Sequence, residues 1–380
     1  MLVAKAALGL LTILPAVIAH PGKVEKRAQC QSTLNTALSV AHTLQDHYFN
    51  PSNGMYNGGS LWTDANTLED LHNLMLATGT DDFATVADTS YIGRCANNAN
   101  TDWNSVLGGS NDDAGWIVLA LWKIGDYKRA RGQSPDNYWN SASKIYDIIN
   151  GQWDDTVCGG GVWWSTAHTY KNAITNELFL MISAEGYIRF GRQDMLTNAW
   201  KTWNWLKNSG MRNSDNLWND GLNGNCQNNG QTTWTYNQGV IASGLASLSA
   251  ATGDKTLLDQ AELTLDATIA HLSTNNILRE SCDDAVSGGP VCNQDQQIFK
   301  GLWTKHLQFY LDRANDPARV DKYRSWLGSQ SSAVYHYGTN ANNDVGSVWY
   351  APDQGGSIFT PKTSASGLEA HVAAAKYGPC

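Results

Sequence analysis

The stretch GVIASGLASLSAAT, residues Gly239–Thr252, carries no charge and is small or apolar at nearly every position. A helix formed here has no face suited to water, so it must be buried all round. The segments on either side of it, Asp194–Asn208 and Lys255–Leu272, are amphipathic instead, with Lys, Asp and Gln gathered on one side. Working outward, the same alternation recurs along the chain. Periodicity of 3.6 residues predicts helices over Gln31–Tyr48, Trp62–Thr78, Asp82–Asn97, Asp113–Arg131, Asn137–Asn150 and Asn172–Phe190. It continues over Asp194–Asn208, Tyr236–Ala251, Lys255–Leu272, Gln296–Asp312, Pro317–Tyr335 and Ser364–Tyr377. The first, third and later odd-numbered segments are amphipathic, and the even-numbered ones are rich in Ala, Gly, Leu and Ile nearly all round. Six outer–inner hairpins of this kind predict an all-α (α/α)6 barrel forming a single domain over 28–380. An open α-solenoid fits less well, because consensus repeats are missing and the loops are long. Short hairpins are expected around Cys158–Ser165 and Leu217–Thr235.

Inner helices are expected to start near Trp62, Asp113, Lys171, Thr235, Asp295 and Ser364, most of them after long loops rich in Gly, Asn and Trp. Their N-termini would converge on one rim, the natural place for a cleft. Five of the six starts carry a polar or aromatic cluster: LWTDAN (Leu61–Asn66), SNDDAGW (Ser110–Trp116), CGGGVWWSTAHTYKNAITNEL (Cys158–Leu178), TTWTYNQG (Thr232–Gly239) and CNQDQQIFKG (Cys292–Gly301). Helix capping, turn formation and core packing account for any one of them alone. Recurrence at five positions is harder to explain by capping.

Asp112 and Asp113 are the candidate catalytic pair. Neighbouring residues keep their Cβ atoms within roughly 5–6 Å, and two carboxyls about 5–5.5 Å apart suit a retaining double displacement on a glycoside. Like charges this close push one pKa up, so that one member stays protonated as an acid while the other attacks. The helix N-terminus favours the ionised one. These arguments leave the two roles unassigned.

Around the pair, Trp62, Asn66, Asn111 and Trp116 are candidate substrate contacts. Three glycines, Gly159–Gly161, allow a tight bend ahead of Trp163 and Trp164, whose indoles are placed to flank sugar subsites. Lys171, Asn172 and Asn176 share one helix, the two amides at i, i+4 on one face. Tyr236, Asn237 and Gln238 offer similar groups from the next inner helix. Asp295 with Lys300 reads as a structural ion pair, and His168 as equally a loop residue or a ligand. No cysteine spacing resembles a zinc site, and neither metal nor cofactor is expected.

Composition narrows the classes. The chain has 16 tryptophans in 380 residues, only 16% charged residues and a net charge of −9. Aromatic faces stack on the C–H faces of sugars. The acidic balance argues against nucleic acid and anionic membranes as partners. Lys5 followed by AALGLLTILPAVIA reads as a signal peptide over 1–19, too short to span a membrane. Residues 20–27 read as a pro-segment ending at the dibasic Lys26-Arg27. Removing this leader leaves the chain more acidic still. The end HVAAAKYGPC lacks a hydrophobic tail for a lipid anchor, so the expected product is a released, extracellular monomer, with the cell wall as one place for it to act. Seven cysteines in such a chain imply disulfides with one thiol over. Cys282 and Cys292 form the expected local pair, and Cys30 can meet Cys380 if the first and last helices are neighbours. No N-glycosylation sequon is present.

Taken in order, NDDAGW, CGGGVWW, YKNAITNELF, WTYNQG and DQQIFKG resemble glycoside hydrolase family 76, over about Ala41 to Gly328. That family includes secreted endo-α-1,6-mannanases and fungal cell-wall proteins of the Dfg5/Dcw1 type. The resemblance implies an (α/α)6 barrel, a retaining mechanism with Asp112 as nucleophile and Asp113 as acid/base, and an α-1,6-mannan substrate. Dfg5-type members usually carry a C-terminal lipid-anchor signal, and their third motif typically runs CGGGLRWQ where this chain has CGGGVWWS. Both departures favour a released mannanase (a mannan endo-1,6-α-mannosidase) over a wall-anchored transglycosidase. A catalytically dead carbohydrate-binding barrel is the alternative from another class; two intact carboxylates argue against it.

Overall fold

The computed structural model describes residues 29–283, 290–351 and 357–380. The expected leader, 1–19 and 20–27, lies outside them. Fourteen α-helices are formed among the described residues. They are α1 (Gln31–Tyr48), α2 (Leu61–Thr78), α3 (Val86–Thr89), α4 (Tyr91–Asn97), α5 (Trp103–Leu107), α6 (Asn111–Ala130) and α7 (Asp136–Asn150). After them come α8 (Ala173–Phe190), α9 (Gln193–Asn208), α10 (Thr235–Thr252), α11 (Thr256–His271), α12 (Phe299–Ala314), α13 (Pro317–Ala333) and α14 (Pro361–Tyr377).

Helices α2, α6, α8, α10, α12 and α14 pack each against the next, and α14 returns to α2, which closes the ring. They are the segments without a polar face. In α10 every residue from Asn237 to Ser249 is buried. Small residues set how closely the ring helices approach: a Cβ on Gly301 of α12 would stand 2.3 Å from the Ser366 Cα of α14, so only glycine fits there. The amphipathic helices sit outside, α7 on α6, α9 on α8, α11 on α10, α13 on α14, and α1 chiefly on α14. The (α/α)6 barrel expected from periodicity is therefore the observed architecture.

Two local expectations differ. The helix expected over Asp82–Asn97 is broken at Ser90, whose backbone is extended and whose side chain caps α4 by accepting from the Gly93 amide. Around Cys158–Ser165 and Leu217–Thr235 the chain makes only single bridges, such as Trp153 with Val162 and Leu222 with Asn228. The two-residue strand pairs lie elsewhere, Phe49–Asn50 with Met55–Tyr56 and Ser273–Thr274 with Ile277–Leu278.

Three disulfides are formed: Cys30–Cys380, Cys158–Cys226 and Cys282–Cys292. Cys95 keeps a half-buried free thiol. Among the described residues no helix is long and apolar enough to cross a membrane.

Candidate active site

A cleft of about 350 Å³ opens where the inner helices begin. Its walls come from the first turns of α2 (Trp62), α6 (Asp112, Asp113, Trp116), α10 (Tyr236) and α12 (Phe299). Asn172, which caps α8, and residues of the intervening loops complete it. Among the described residues four aspartates line it, Asp112, Asp113, Asp220 and Asp295, and no Lys, Arg or His does.

Asp112 and Asp113 occupy the first turn of α6. Asp112 is well supplied with donors. Its Oδ1 accepts from the Ser110 hydroxyl at 2.7 Å and the Asp113 amide at 3.1 Å, and its Oδ2 from the Trp164 indole at 3.1 Å. Burial raises its pKa, and these donors pull the other way. Asp113 is pushed up to about 7, first by burial and then by the charge of Asp112. The Ser110 hydroxyl opposes this, and Asp295 adds to it. The helix dipole favours charge on both, but donors are concentrated on Asp112. The two neighbours are thereby made chemically unequal.

Trp164 reaches Asp112 because its loop is stitched to the start of α6. The Asn111 amide donates to the Trp164 carbonyl at 2.9 Å, and the Asn111 side chain to the Trp163 carbonyl at 2.8 Å. The triple glycine makes the bend ahead of it: Gly159, Gly160 and Gly161 all have positive φ, and a Cβ on either of the last two would strike Trp205. Lys171 fastens the same loop from inside, its ammonium donating to the carbonyls of Asp154, Val157 and Gly160 at 2.7, 2.6 and 2.7 Å.

Across the cleft, Asp220 accepts from the Tyr170 hydroxyl at 2.5 Å, and Tyr170 is held by Asn229 at 2.9 Å. Burial raises the pKa of Asp220 and the Tyr170 hydrogen bond lowers it. Asp295 accepts from the Trp62 indole at 3.2 Å. The aromatic walls are Trp62 against Trp116, centroids 6.0 Å apart, and Tyr236 stacked on Phe299 at 3.9 Å, with Trp234 edge-on to Phe299.

Of the residues selected from sequence, Asp112, Asp113, Trp62, Trp116, Trp164, Asn172 and Tyr236 come together in this cleft. Seven do not line it. Asn66 donates to the Trp62 carbonyl and accepts from Lys305. Asn111 and Lys171 are the loop fasteners just described. Asn176 is paired with the Val162 backbone through both ends of its amide. Gln238 does the same for Trp218, and Asn237 is fully buried. Trp163 is buried, donating to Asp154 and stacked on His168. Asn66, Asn111, Lys171, Asn176 and Gln238 thus satisfy backbone groups that would otherwise be buried unpaired. The Asp295–Lys300 pair is not formed either: Lys300 is buried against Asp283 and the Ser347 carbonyl. Asp220, Tyr170, Trp234, Asn293, Gln296 and Phe299 were not selected from sequence. The one cluster of potential metal ligands among the described residues, Cys282, Asp283 and Cys292, has both sulfurs in a disulfide.

The sequence profile of Glycosyl hydrolase family 76 matches residues 32–377. A Schizosaccharomyces pombe relative is 27% identical over 254 residues, covering 63% of this chain and 56% of its own length. The Candida glabrata protein named mannan endo-1,6-alpha-mannosidase DCW1 is 24% identical, covering 86% of this chain and 76% of its own. This chain thus spans little more than half the length of the first. Among solved structures, an α-1,6-mannanase of Salegentibacter sp. HEL1_6 superposes with a TM-score of 0.76 at 20% identity, covering 90% of this chain and 99% of that one. That structure is of an inactive variant, two consecutive aspartates replaced by asparagine, in complex with α-1,6-mannotriose.

Proposed function

Because this chain belongs to glycosyl hydrolase family 76, we propose that it is a secreted, retaining endo-α-1,6-mannosidase acting as a monomer on the backbone of mannan. The observation that carries the proposal is the unequal pair Asp112 and Asp113 in a cleft with aromatic walls and no cationic side chain. Such a cleft suits a neutral polysaccharide and repels an anionic one. The relatives' mannosidase names and the mannotriose held by the Salegentibacter enzyme support the choice of sugar and linkage. Loss of activity when that enzyme's consecutive aspartates are replaced supports the choice of residues. Three disulfides fit an oxidising, extracellular setting.

In this reading the Asp112 carboxylate attacks the anomeric carbon. The bond to the leaving oxygen breaks as the Asp113 carboxyl, still protonated near neutrality, gives that oxygen its proton. The product is a mannosyl ester of Asp112. Asp113, now a carboxylate, takes a proton from water, whose oxygen displaces Asp112 and restores the starting configuration. Ser110 and Trp164 keep the nucleophile charged. Asp220, oriented by Tyr170, accepts from sugar hydroxyls, and Trp62, Trp164 and Tyr236 offer ring faces to the pyranoses.

The test is hydrolysis of unbranched α-1,6-mannan, with products sized over time for wild type, Asp112→Asn and Asp113→Asn. Shortening oligosaccharides from wild type and near-silence from both variants are the expected result. Products longer than a supplied oligomannoside would replace hydrolysis with transglycosylation, and an inert wild type that still binds mannan would overturn the enzymatic reading.

A further inference from the structure

Helix α13 does not stop cleanly at Ala333. It continues as one π-helical turn, Val334–Gly338, a rare conformation that gathers at functional sites. The turn is anchored from below. Val334 and Gly338 are buried, Gly338 lies against the Trp349 ring, and the Thr339 hydroxyl donates to the Val334 carbonyl at 2.8 Å. Held in this way, it turns three consecutive aromatic rings outward: Tyr335 is 56% exposed, Tyr337 is 39% exposed, and His336 between them is exposed too. Neither the catalytic cleft nor the barrel core uses any of them.

Two of them, His336 and Tyr337, line a second groove of about 580 Å³, which runs along α13 beside Asn275, Ile277 and Pro379, with Tyr335 next to them in the same turn. His336, Tyr337 and Tyr350 form its aromatic end. Ser325, Ser329 and Ser332 line its length, at a spacing that puts them on one helix face. Among the described residues no Lys, Arg, Asp or Glu contributes to the lining, in a chain whose net charge is −9. The open rings of His336 and Tyr337 beside a row of hydroxyls, with one cation covering the Tyr350 face, match a neutral carbohydrate, which carries C–H faces and hydroxyls together. A nucleic acid or acidic peptide would find a single cation there among the described residues, Arg279, already seated 4.5 Å over the Tyr350 ring.

We propose that this groove is a second, non-catalytic carbohydrate site that holds another stretch of the neutral polysaccharide whose backbone the cleft cuts. The identity of that polymer rests on the reading given above. A chain held in the groove raises the local concentration of its remaining segments at the cleft, so the two sites act together on polymer and separately on short oligosaccharides.

The test uses the full chain carrying Asp113→Asn, which leaves polymer uncut, with and without Tyr335→Ala and Tyr337→Ala. Both tyrosines are exposed, so their loss spares the core. Depletion onto insoluble unbranched α-1,6-mannan is expected to weaken about tenfold or more in the tyrosine variant. Restored to Asp113, the same variant should cut α-1,6-mannotetraose at the wild-type rate. A second variant, Ser329→Arg, which fills and charges the groove, should reproduce the loss. Unchanged depletion by both variants overturns the proposal. If wild type fails to cut mannan, depletion is repeated on neutral α- and β-glucans. Groove-dependent retention there keeps the site and discards mannan as its polymer, and its absence on every glycan discards the site.

Discussion

The indole of Trp164 donates to Asp112 Oδ2 at 3.1 Å, across 52 residues of chain. Trp164 is 43% exposed, so an aromatic ring open to ligand also tunes the candidate nucleophile. Binding and charge are coupled through one side chain. Trp164→Phe keeps the ring face and removes the donor. A hydrogen bond to a charged group contributes about 1.5–3 kcal/mol, so kcat/KM on oligomannosides should fall about tenfold to a hundredfold. The acid limb of the pH profile should move to higher pH, because Asp112 then holds its proton more tightly. A loss in KM alone, with an unmoved acid limb, would reduce Trp164 to a platform.

Asp113 must be protonated to serve as acid, and burial with the charge of Asp112 pushes it up to about 7. Activity should therefore be sustained through mildly acidic pH and decline as pH rises through about 7. Asp113→Asn cannot titrate. With a substrate whose leaving group needs no proton, such as an aryl mannoside with an acidic phenol, its bond-cleavage step should lose the alkaline limb. Persistence of that limb would assign it to another group.

Lys171 holds three backbone carbonyls of the loop that presents Trp163 and Trp164. Lys171→Met leaves them to find other partners, at about 1–3 kcal/mol for each one left buried and unpaired. The expected outcome is a lower Tm with a fall in kcat, measured by calorimetry and oligomannoside turnover. Loss of binding without loss of stability would make Lys171 a ligand contact instead.

Inside the barrel Lys305 is the shared cation of Glu69, Asp70 and Glu369, at 2.8, 2.9 and 2.9 Å. Removing one partner of a buried ion pair costs about 3–5 kcal/mol, and Lys305→Met should cost at least that near neutral pH. The pH dependence follows from the carboxyls. Asp70 is already pushed up to about 7, by burial acting against Lys305. A carboxyl raised in the folded state binds more protons folded than unfolded. Its contribution is full below its unfolded pKa of about 4 and is lost as pH climbs through the folded value. Without Lys305 this window widens, so the stability deficit should be smallest in acid and grow toward pH 7 in denaturant titrations.

The barrel was legible because a helix such as α10 has no polar face to misassign. The break at Ser90 was not, because Ser90 caps α4 in the middle of a segment whose periodicity runs on unbroken. The Asp112–Asp113 pair stood out through its position at a helix start. Asn111, Asn176 and Gln238 share that position and are polar for another reason: they satisfy backbone in the long loops. Residue type and spacing do not tell which side of a helix end meets the cleft and which meets a loop. Asp220 escaped notice for the converse reason. It lies in a Gly/Asn-rich loop with no periodicity, brought to the site through its contact with Tyr170 and the hydrogen bond from the Ala173 amide to its carbonyl.

The disulfide between Cys30 and Cys380 joins the first helix of the barrel to the last. Between those two residues the covalent chain is thus a closed loop, lying on a ring of helices that is itself closed. A single protease cut within that loop would turn a circle into a line without separating two pieces. Its two halves would stay tethered through Cys30 and Cys380, and new ends could be opened in a surface loop while the order of the helices around the ring is kept. In its oxidised form the stretch from Cys30 to Cys380 is topologically indifferent to where it is opened.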